Sequence, residues 1–381
     1  MPSSPGKQIE TDDFRKMAAS AFRPVLVGPF PGPVHGVSVI NAKLAERLAK
    51  GGLAPSRIDL SPIAGAGGLA YHGSRMWRAL GGALRILASP LAGPHRYVMS
   101  VDGGFGLFYN LLLALAARLS GQGLALYHHS TAYVLAESRL MRTLVAVVGR
   151  RAPHIFCSSA MAALFAARYG NTGPVLIVGN AAWVEPPALA EALAGGSPGG
   201  LRLGFLSTLT LEKGLGRCLA TLRRLRAEGV AAELDVAGAA VDGAARALLA
   251  KAEAEFGPAL RCHGVLTGAD KAAFYGGLDF FLFASLYPHE TQSLVVPEAL
   301  AAGTPVVAFD HRFVGEVLGQ GGLLVAPGDD FALRAAQFVL ADRAPGLRQA
   351  RRTAARAQFD AERARAEGQI DRLIAWARGA P

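Results

Sequence analysis

Two glutamates in residues 288–309 have the type and spacing to contact the hydroxyl groups of a ligand. Glu290 and Glu298 are eight positions apart, and Pro297 directly precedes the second. Proline is tolerated in the first turn of a helix but not in its interior, so a helix should begin near Leu294. Glu290 then lies in the loop before that helix and Glu298 near its start. Ionised carboxylates accept hydrogen bonds, and this makes both residues candidates for binding hydroxyls.

The start of the same helix should present unpaired backbone amides. The amides of Gln292, Ser293 and Leu294 would have no acceptor inside the helix and can bind phosphate. Two carboxylates would repel that anion unless they bind hydroxyl groups instead. Glu298 could therefore bind a ribose diol, and Glu290 could contact a sugar ring beyond the phosphates. The alternative is that Glu298 only stabilises the positive end of the helix.

A lysine and a histidine are further candidates for ligand contacts. Lys213 follows the predicted strand Leu201–Leu206 and opens a helix, at the end of a sheet where α/β proteins bind ligands. A solvated turn lysine is the alternative. His128 and His129 follow another predicted strand, and a histidine there can donate to a sugar hydroxyl or a phosphate oxygen. A packed or surface histidine is the equal alternative, and no further residues complete a zinc site.

Alternating strands and helices must position these residues. Hydrophobic residues make up 51% of the 381 residues, and short apolar runs alternate with helical spacing, which predicts parallel sheets covered by helices. No GxGxxG follows the first predicted strand, which argues against a dinucleotide cofactor. We expect a disordered tail at 1–22, a first domain at 23–185, a linker at 186–200, a second domain at 201–355 and a C-terminal helix at 356–381.

These motifs together resemble the retaining GT-B glycosyltransferases of family GT4. Glu290 to Glu298, followed by Ala-Leu-Ala-Ala-Gly-Thr-Pro-Val-Val-Ala, is similar to the family's E-x7-E segment and the run after it. The other matching segments are Glu212-Lys213-Gly214, similar to the EKG motif, Val34-His35-Gly36-Val37, similar to the first-domain glycine loop, and His129-Ser130, where the family often has a histidine at the donor sugar. The resemblance covers most of the chain from Arg23 onward.

The resemblance implies a fold and a reaction. Two Rossmann-like domains would face each other across a cleft, and a C-terminal helix would cross back to the first domain. A sugar of hexosyl type would pass, with retention of anomeric configuration, from a nucleotide-diphosphate donor to a saccharide or lipid-linked saccharide in cell-surface polysaccharide or glycolipid synthesis. No metal or other cofactor is implied, because lysine and backbone amides would stabilise the leaving group.

The resemblance also implies residue roles. The catalytic residues would be Glu290, His129 and Lys213. The donor-binding residues would be Gly36, Thr208, Lys213, Gln292, Ser293, Leu294 and Glu298. Glycine at position 36 would let the backbone approach a ligand closely.

Two positions depart from the family pattern. Ser207-Thr208 stands where the family usually has Gly-Arg, so one phosphate-binding cation is missing and Thr208 offers only a hydroxyl. Another cation would have to substitute, or the donor would bind more weakly. Gln292-Ser293 replaces the usual Phe-Gly. These departures leave open a nucleotide-sugar-binding protein without turnover, and a nucleotide-sugar hydrolase or epimerase.

Charge and apolar patterning suggest an acidic partner for the N-terminal half. Residues 1–197 hold 18 basic and 9 acidic residues, whereas residues 198–381 hold 21 and 20. Such an excess attracts acidic partners such as phospholipid, a lipid diphosphate or nucleic acid, and an anionic membrane surface is one candidate. A merely soluble basic surface is the equal alternative. Residues 71–91 have an apolar stripe beside arginines, typical of an interfacial helix, although a helix packed on its own domain is the alternative. The run Leu111–Leu119 is too short to span a bilayer and should form a buried helix.

Several classes of protein and site are disfavoured. The polar N-terminus is no signal peptide, and the three cysteines lack metal-ligand spacing, so we expect a cytoplasmic, reduced protein. Peripheral attachment to the inner face of the membrane is a further hypothesis. No basic-aromatic motif indicates nucleic-acid binding.

Overall fold

The computed structural model describes residues 22–32, 36–63, 68–170, 173–196, 200–342 and 344–380. The tail expected at 1–22 lies outside the described residues except for Phe22, as do Val34 and His35 of the glycine loop.

Six parallel strands form a first sheet, in the order β2-β1-β3-β4-β5-β6. The strands are β1 (Arg23–Gly28), β2 (Ser56–Asp59), β3 (His95–Val101), β4 (Gly123–His128), β5 (His154–Phe156) and β6 (Val175–Ile177). The helices are α1 (Gly36–Lys50), α2 (Gly68–Ala88), α3 (Gly106–Leu119), α4 (Ala132–Leu135), α5 (Arg139–Val148) and α6 (Ser159–Tyr169). Apolar side chains from α2, α3 and α5 cover one face of this sheet, and those of α1 cover the other.

A second sheet of six parallel strands follows, in the order β12-β11-β10-β7-β8-β9. The strands are β7 (Leu201–Leu206), β8 (Ala232–Ala237), β9 (Leu260–Cys262), β10 (Phe280–Phe283), β11 (Val306–Phe309) and β12 (Gly322–Val325). The helices of this half are α7 (Leu189–Ala194), α8 (Leu215–Ala227), α9 (Gly243–Phe256), α10 (Gly268–Gly276), α11 (Val295–Ala301), α12 (Val314–Leu318), α13 (Phe331–Ala341) and α14 (Pro345–Arg378). The expected pair of helix-covered parallel sheets is confirmed.

Helix α14 joins the two sheets. Its first half places Phe359 in the core of the second sheet, and its second half places Leu373 and Trp376 in the core of the first. The buried Arg352 donates hydrogen bonds to the carbonyl oxygens of Ala192, at 2.7 Å, and Ala302, at 3.0 Å. The expected return of the C-terminal helix to the first half is therefore confirmed, and the helix begins earlier than position 356.

Side chains of the second half also attach directly to the first. Phe313 follows β11, yet its buried ring belongs to the apolar core of the first sheet. Glu316 on α12 accepts hydrogen bonds from the amides of Ser159, at 2.9 Å, and Ala160, at 2.7 Å, which are unpaired donors at the start of α6. A carboxylate at a helix N-terminus is electrostatically favourable. These contacts fix how the two halves face each other.

Three details differ from the sequence-based expectations. Strand β2 was not predicted, because Ser-Arg-Ile-Asp lacks an apolar run and lies at the sheet edge. Helix α3 is not buried all round, since Leu115 and Leu119 are exposed. Part of the segment expected as a linker forms helix α7, which buries Ala192. Among the described helices, none has the length and apolar character needed to cross a membrane.

Candidate functional site

A cleft of about 350 Å³ lies between the two halves, next to the ends of several parallel strands. Eight of the nine predicted site residues line it: Gly36, His129, Thr208, Lys213, Glu290, Gln292, Ser293 and Leu294. The ninth, Glu298, lines an adjoining pocket of about 380 Å³. Val39 and Lys271 line both spaces, which are therefore contiguous. The fold thus brings the predicted residues of both sheets together.

Lys213 and Glu290 form an ion pair in the cleft. The Lys213 Nζ atom lies 2.6 Å from Glu290 Oε2, and Ser285 donates to the same oxygen at 3.2 Å. The ammonium group also lies 4.3 Å from the centre of the Tyr287 ring. Only 9% of Glu290 is exposed, so the lysine compensates a carboxylate that is largely removed from water.

Local geometry places Lys213 beside Glu290. Strands β7 and β10 are neighbours, so the turns that follow them meet at one edge of the sheet. Gly214 has φ 99°, and a side chain there would collide with the carbonyl oxygen of Ala284 just after β10. Glycine is thus required for the close approach of the two turns. The amide of Leu286 donates to the Glu212 carbonyl at 3.1 Å and holds them together.

A second lysine–glutamate pair occupies the adjoining pocket. Lys271 Nζ on α10 lies 2.6 Å from Glu298 Oε1, and the Tyr275 hydroxyl donates to Glu298 Oε2 at 3.0 Å. Burial and the charge of Glu298 raise the pKa of Tyr275 well above its usual value, so this tyrosine stays protonated. Neither Lys271 nor Tyr275 was identified from the sequence. They lie 27 and 23 positions from Glu298, and no local motif marks them.

The loop before α11 is attached to the first half of the chain. The Gln292 side chain accepts a hydrogen bond from the amide of Asn180 at 2.6 Å, and the Asn180 side chain donates to the Gln292 carbonyl. The expectation for Gln292 concerned its backbone amide, whereas the contacts that the structure shows are made by its side chain and its carbonyl oxygen. The buried Gln292 side chain instead joins the two halves at the cleft.

The amides of Ser293 and Leu294 match the expectation more closely. Helix α11 begins at Val295 with Leu294 as its N-cap, and Pro297 lies within its first turn. Neither amide donates to a backbone acceptor among the residues that the structure describes. Both residues line the cleft, where these donors can reach a ligand.

The two neighbouring histidines have different environments. His128 is fully buried, with Nδ1 3.0 Å from the Tyr133 hydroxyl and Nε2 2.9 Å from His154 Nδ1. It therefore packs inside the first half, although one edge of it touches the cleft wall. His129 follows the end of β4, is half-buried, and lines the cleft with its ring centroid 4.1 Å from that of Tyr127. The interpretation of a packed histidine applies to His128, and the site candidate is His129.

The position of the missing arginine is occupied by an exposed threonine. Thr208 lines the cleft after β7. The described lining of the cleft contains two lysines, Lys213 and Lys271, and no arginine. Lys271 thus provides a second cation in the cleft that Thr208 also lines.

Comparison with known protein families finds a similarity in the second half of the chain. Residues 200–342 match the family model described as Glycosyl transferases group 1. This stretch is similar to that family, and the match covers less than half of the chain. It contains both lysine–glutamate pairs, Lys213–Glu290 and Lys271–Glu298. A comparison with curated protein sequences finds no match.

Solved glycosyltransferase structures share the fold of the whole chain. Anabaena HepE in complex with UDP has a TM-score of 0.65 at 16% identity, over 92% of this chain and 99% of that chain. Sucrose-phosphate synthase from Thermosynechococcus elongatus has a TM-score of 0.69 at 19% identity, over 93% and 100%. WaaG, a glycosyltransferase involved in lipopolysaccharide biosynthesis, has a TM-score of 0.60 at 15% identity, over 94% and 100%. Such identities establish the fold alone, and it is the expected GT-B fold.

The buried histidines behind the cleft predict a dependence of stability on pH. Burial lowers the pKa of His154 to about 4, and burial with the adjacent His154 holds the pKa of His128 well below its usual value. Both are neutral in the folded protein, whereas the unfolded chain binds protons below about pH 6.5. The contribution of these two histidines to the free energy of unfolding should therefore be constant above that pH and fall towards pH 4, by about 1 kcal/mol per pH unit for each histidine.

Chemical unfolding of the wild type and of His154→Gln between pH 7 and pH 5 checks this expectation. The variant should lose less stability over this range than the wild type. His289→Gln, which changes an exposed histidine, is the control and should keep the wild-type slope. Equal slopes for His154→Gln and the wild type would contradict the assignment.

Proposed function

We propose that this protein is a retaining glycosyltransferase of family GT4 that uses a nucleotide-diphosphate sugar. The observation that carries the proposal is the pair of adjoining pockets, each with a carboxylate held by a lysine, Glu290–Lys213 and Glu298–Lys271. The two carboxylates match hydroxyl groups at the two ends of a ligand, and the two lysines match phosphates between those ends. The structures of HepE with UDP and with UDP-glucose support the choice of donor class for this shared fold.

The donor is placed along the two pockets. Glu298 accepts from the ribose hydroxyls, and Tyr275 holds its second oxygen in position. Lys213 and the amides of Ser293 and Leu294 bind the diphosphate. Each ammonium group has three donors, so a lysine can keep its carboxylate and still bind a phosphate oxygen. The sugar lies at the Glu290 end, between Glu290 and His129.

The proposed reaction breaks the bond between the anomeric carbon and the diphosphate oxygen. Lys213 stabilises the negative charge that develops on the leaving phosphate, and the Glu290 carboxylate stabilises positive charge on the sugar. His129 donates to a sugar hydroxyl and orients the ring. The acceptor hydroxyl forms the new bond on the face from which the diphosphate departs, and its proton passes to that diphosphate. Configuration at the anomeric carbon is thereby retained.

Lys271 is proposed to replace the missing phosphate-site arginine. It lines both pockets at their junction, where the diphosphate would lie. As a flexible point charge, it would bind phosphate with less geometric specificity than an arginine fork. Gly36 and Thr208 complete the wall and offer close backbone approach and a hydroxyl.

The acceptor proposed is a saccharide or a lipid-linked saccharide in cell-surface polysaccharide or glycolipid synthesis. The likeness to WaaG, which is involved in lipopolysaccharide biosynthesis, supports this class. A cytoplasmic location and independence from metal ions stay predictions. Among the described residues, no group of three or more histidine, cysteine, aspartate and glutamate residues is arranged to bind a metal ion.

Two substitutions in the first pair test the proposed catalytic site. A thermal-shift screen of nucleotide sugars first identifies the donor, and turnover is then measured with that donor. Glu290→Gln and Lys213→Ala should each lower kcat roughly a hundredfold or more, because each removes charge stabilisation at the reacting bond. Glu228→Gln and Lys251→Ala, on exposed positions of the same half, are the controls.

The melting temperature of each variant separates loss of function from loss of fold. Glu290→Gln keeps the shape of the side chain and is the more stringent variant, since Lys213→Ala leaves a buried carboxylate unpaired. Normal kcat in a folded Glu290→Gln protein would overturn the proposed catalytic site. Donor binding without any turnover in the wild type would favour the nucleotide-sugar-binding alternative, and release of free sugar in preference to transfer would favour the hydrolase.

The second pair predicts discrimination between ribose and deoxyribose. The wild type should bind a nucleoside diphosphate more tightly than its 2′-deoxy analogue, because Glu298 would lose a hydroxyl partner. In Glu298→Gln, affinity for the ribose form should fall roughly tenfold or more and the preference should shrink. Calorimetric titration with both ligands measures this, with Glu228→Gln as the control. An unchanged preference in Glu298→Gln would exclude Glu298 as the ribose ligand.

A further inference from the structure

The exposed apolar side chains of the described residues are concentrated in one part of the first half. Ten of the eighteen large exposed apolar residues lie between positions 63 and 119. On α2 and just after it, they are Trp77, Leu80, Leu84, Leu87 and Leu91. At and within α3, they are Phe105, Phe108, Leu115 and Leu119, and Ile63 precedes α2. Scattered exposed leucines are common in soluble proteins, but a contiguous apolar patch marks a docking surface.

Helix α2 is apolar on two opposite faces. Ala79, Ala83 and Ile86 are buried against the sheet, as in any amphipathic helix of this fold. Trp77 and Leu84 lie on the outer face, with 77% and 67% of their surfaces exposed. The spacing 77, 80, 84, 87 repeats every three or four residues and therefore forms one continuous outer stripe. Packing within its own domain accounts for the inner face only.

Helix α3 extends this stripe into a surface two helices wide. The two helices pack side by side. At Gly82 they approach so closely that an added Cβ would lie 3.1 Å from Leu113 Cδ2 of α3. At the other end, the Phe105 ring lies 5.0 Å from that of His72. Leu119, at the end of α3, has 77% of its surface exposed. These residues define what we call the α2–α3 face.

The charged side chains that α2 and α3 themselves carry have a single sign. Neither α2 nor α3 contains an aspartate or glutamate. Arg85 and Arg118 are exposed, and Arg78 is half-exposed beside Asp59. Apolar side chains flanked by arginines match the lipid tails and anionic headgroups of a bilayer. A second copy of the same face would instead bring like charges together across a symmetric contact.

We propose that the α2–α3 face docks on an anionic lipid bilayer. Both helices lie in the plane of the interface, Trp77, Leu84 and Leu119 enter the apolar layer, and the arginines contact lipid phosphates. Strands β3 and β4 are paired neighbours, so the loop that leads into α3 adjoins the loop that carries His129. Docking therefore places the cleft beside the membrane surface. Delivery of a lipid-linked acceptor to the cleft by this docking rests on the proposed transferase function. The docking itself does not depend on that function.

Vesicle flotation tests the docking surface without any nucleotide sugar. The full chain should float with phosphatidylcholine vesicles that contain phosphatidylglycerol, more weakly with phosphatidylcholine alone, and less as salt is added. Leu84→Gln combined with Leu119→Gln should lower the partition coefficient roughly tenfold or more, because two inserted side chains become polar. The control combines Val241→Gln with Val265→Gln, which change two exposed apolar residues of the second half. It should leave the partition coefficient unchanged.

Arginine variants and tryptophan fluorescence supply independent readouts. Arg85→Gln combined with Arg118→Gln should remove most of the preference for anionic vesicles. Trp77 is exposed whereas Trp183 and Trp376 are buried, so emission should shift to the blue on vesicle binding and be quenched by brominated lipids. Turnover with a water-soluble acceptor should be unchanged in the leucine variant, which separates failure of docking from failure of the transferase proposal.

Three outcomes would overturn the proposal. One is vesicle binding by the leucine variant that equals that of the wild type. Another is Trp77 emission that does not change in the presence of vesicles. The third is a stable dimer in solution that the leucine variant converts to monomers, which would assign the face to a second copy.

Discussion

The pairing of two carboxylates with lysines, Glu290 in the cleft and Glu298 in the adjoining pocket, is the constraint on which the rest of the site depends. A carboxylate such as that of Glu290 is costly to remove from water unless a cation and hydrogen-bond donors compensate it. Lys213 can do so only because β7 and β10 are adjacent and Gly214 lets their turns meet. Lys271 can compensate the second carboxylate, Glu298, only because α10 packs beside α11. The strand order of the second sheet thus determines where the charged groups lie, and a ligand with hydroxyls at both ends and phosphates between them fits that distribution.

The first half contributes the opposing wall, and its position is fixed by polar and apolar contacts of different kinds. The hydrogen bonds between Gln292 and Asn180 lie at the cleft itself. Farther along the second half, Phe313 packs into the core of the first sheet, and Glu316 caps the start of helix α6. Helix α14 covers both cores. His129 therefore lines the same cleft as Glu290, and several independent contacts maintain that cleft. The same half presents an apolar, basic surface on the outside.

Much of this arrangement is predictable from the sequence, because it is encoded locally. Alternating apolar runs predict the parallel sheets, and Pro297 predicts the start of α11 within one residue. Contacts between distant segments are not encoded in this way. Lys271 has no motif, the Gln292 side chain is a departure from the family pattern, and the polar edge strand β2 lacks an apolar run. The exposed leucines of α3 were expected to be buried, because an apolar helix does not reveal which of its faces will lack a partner.

The position of a bound nucleotide tests the central claim most directly, namely that one donor spans both lysine–glutamate pairs. A crystal structure with the nucleoside diphosphate that gives the largest thermal shift would measure it. The account predicts ribose hydroxyls within hydrogen-bond distance of Glu298 and the terminal phosphate within that distance of Lys213. A nucleoside bound beside Glu290 and His129, or outside both pockets, would contradict it.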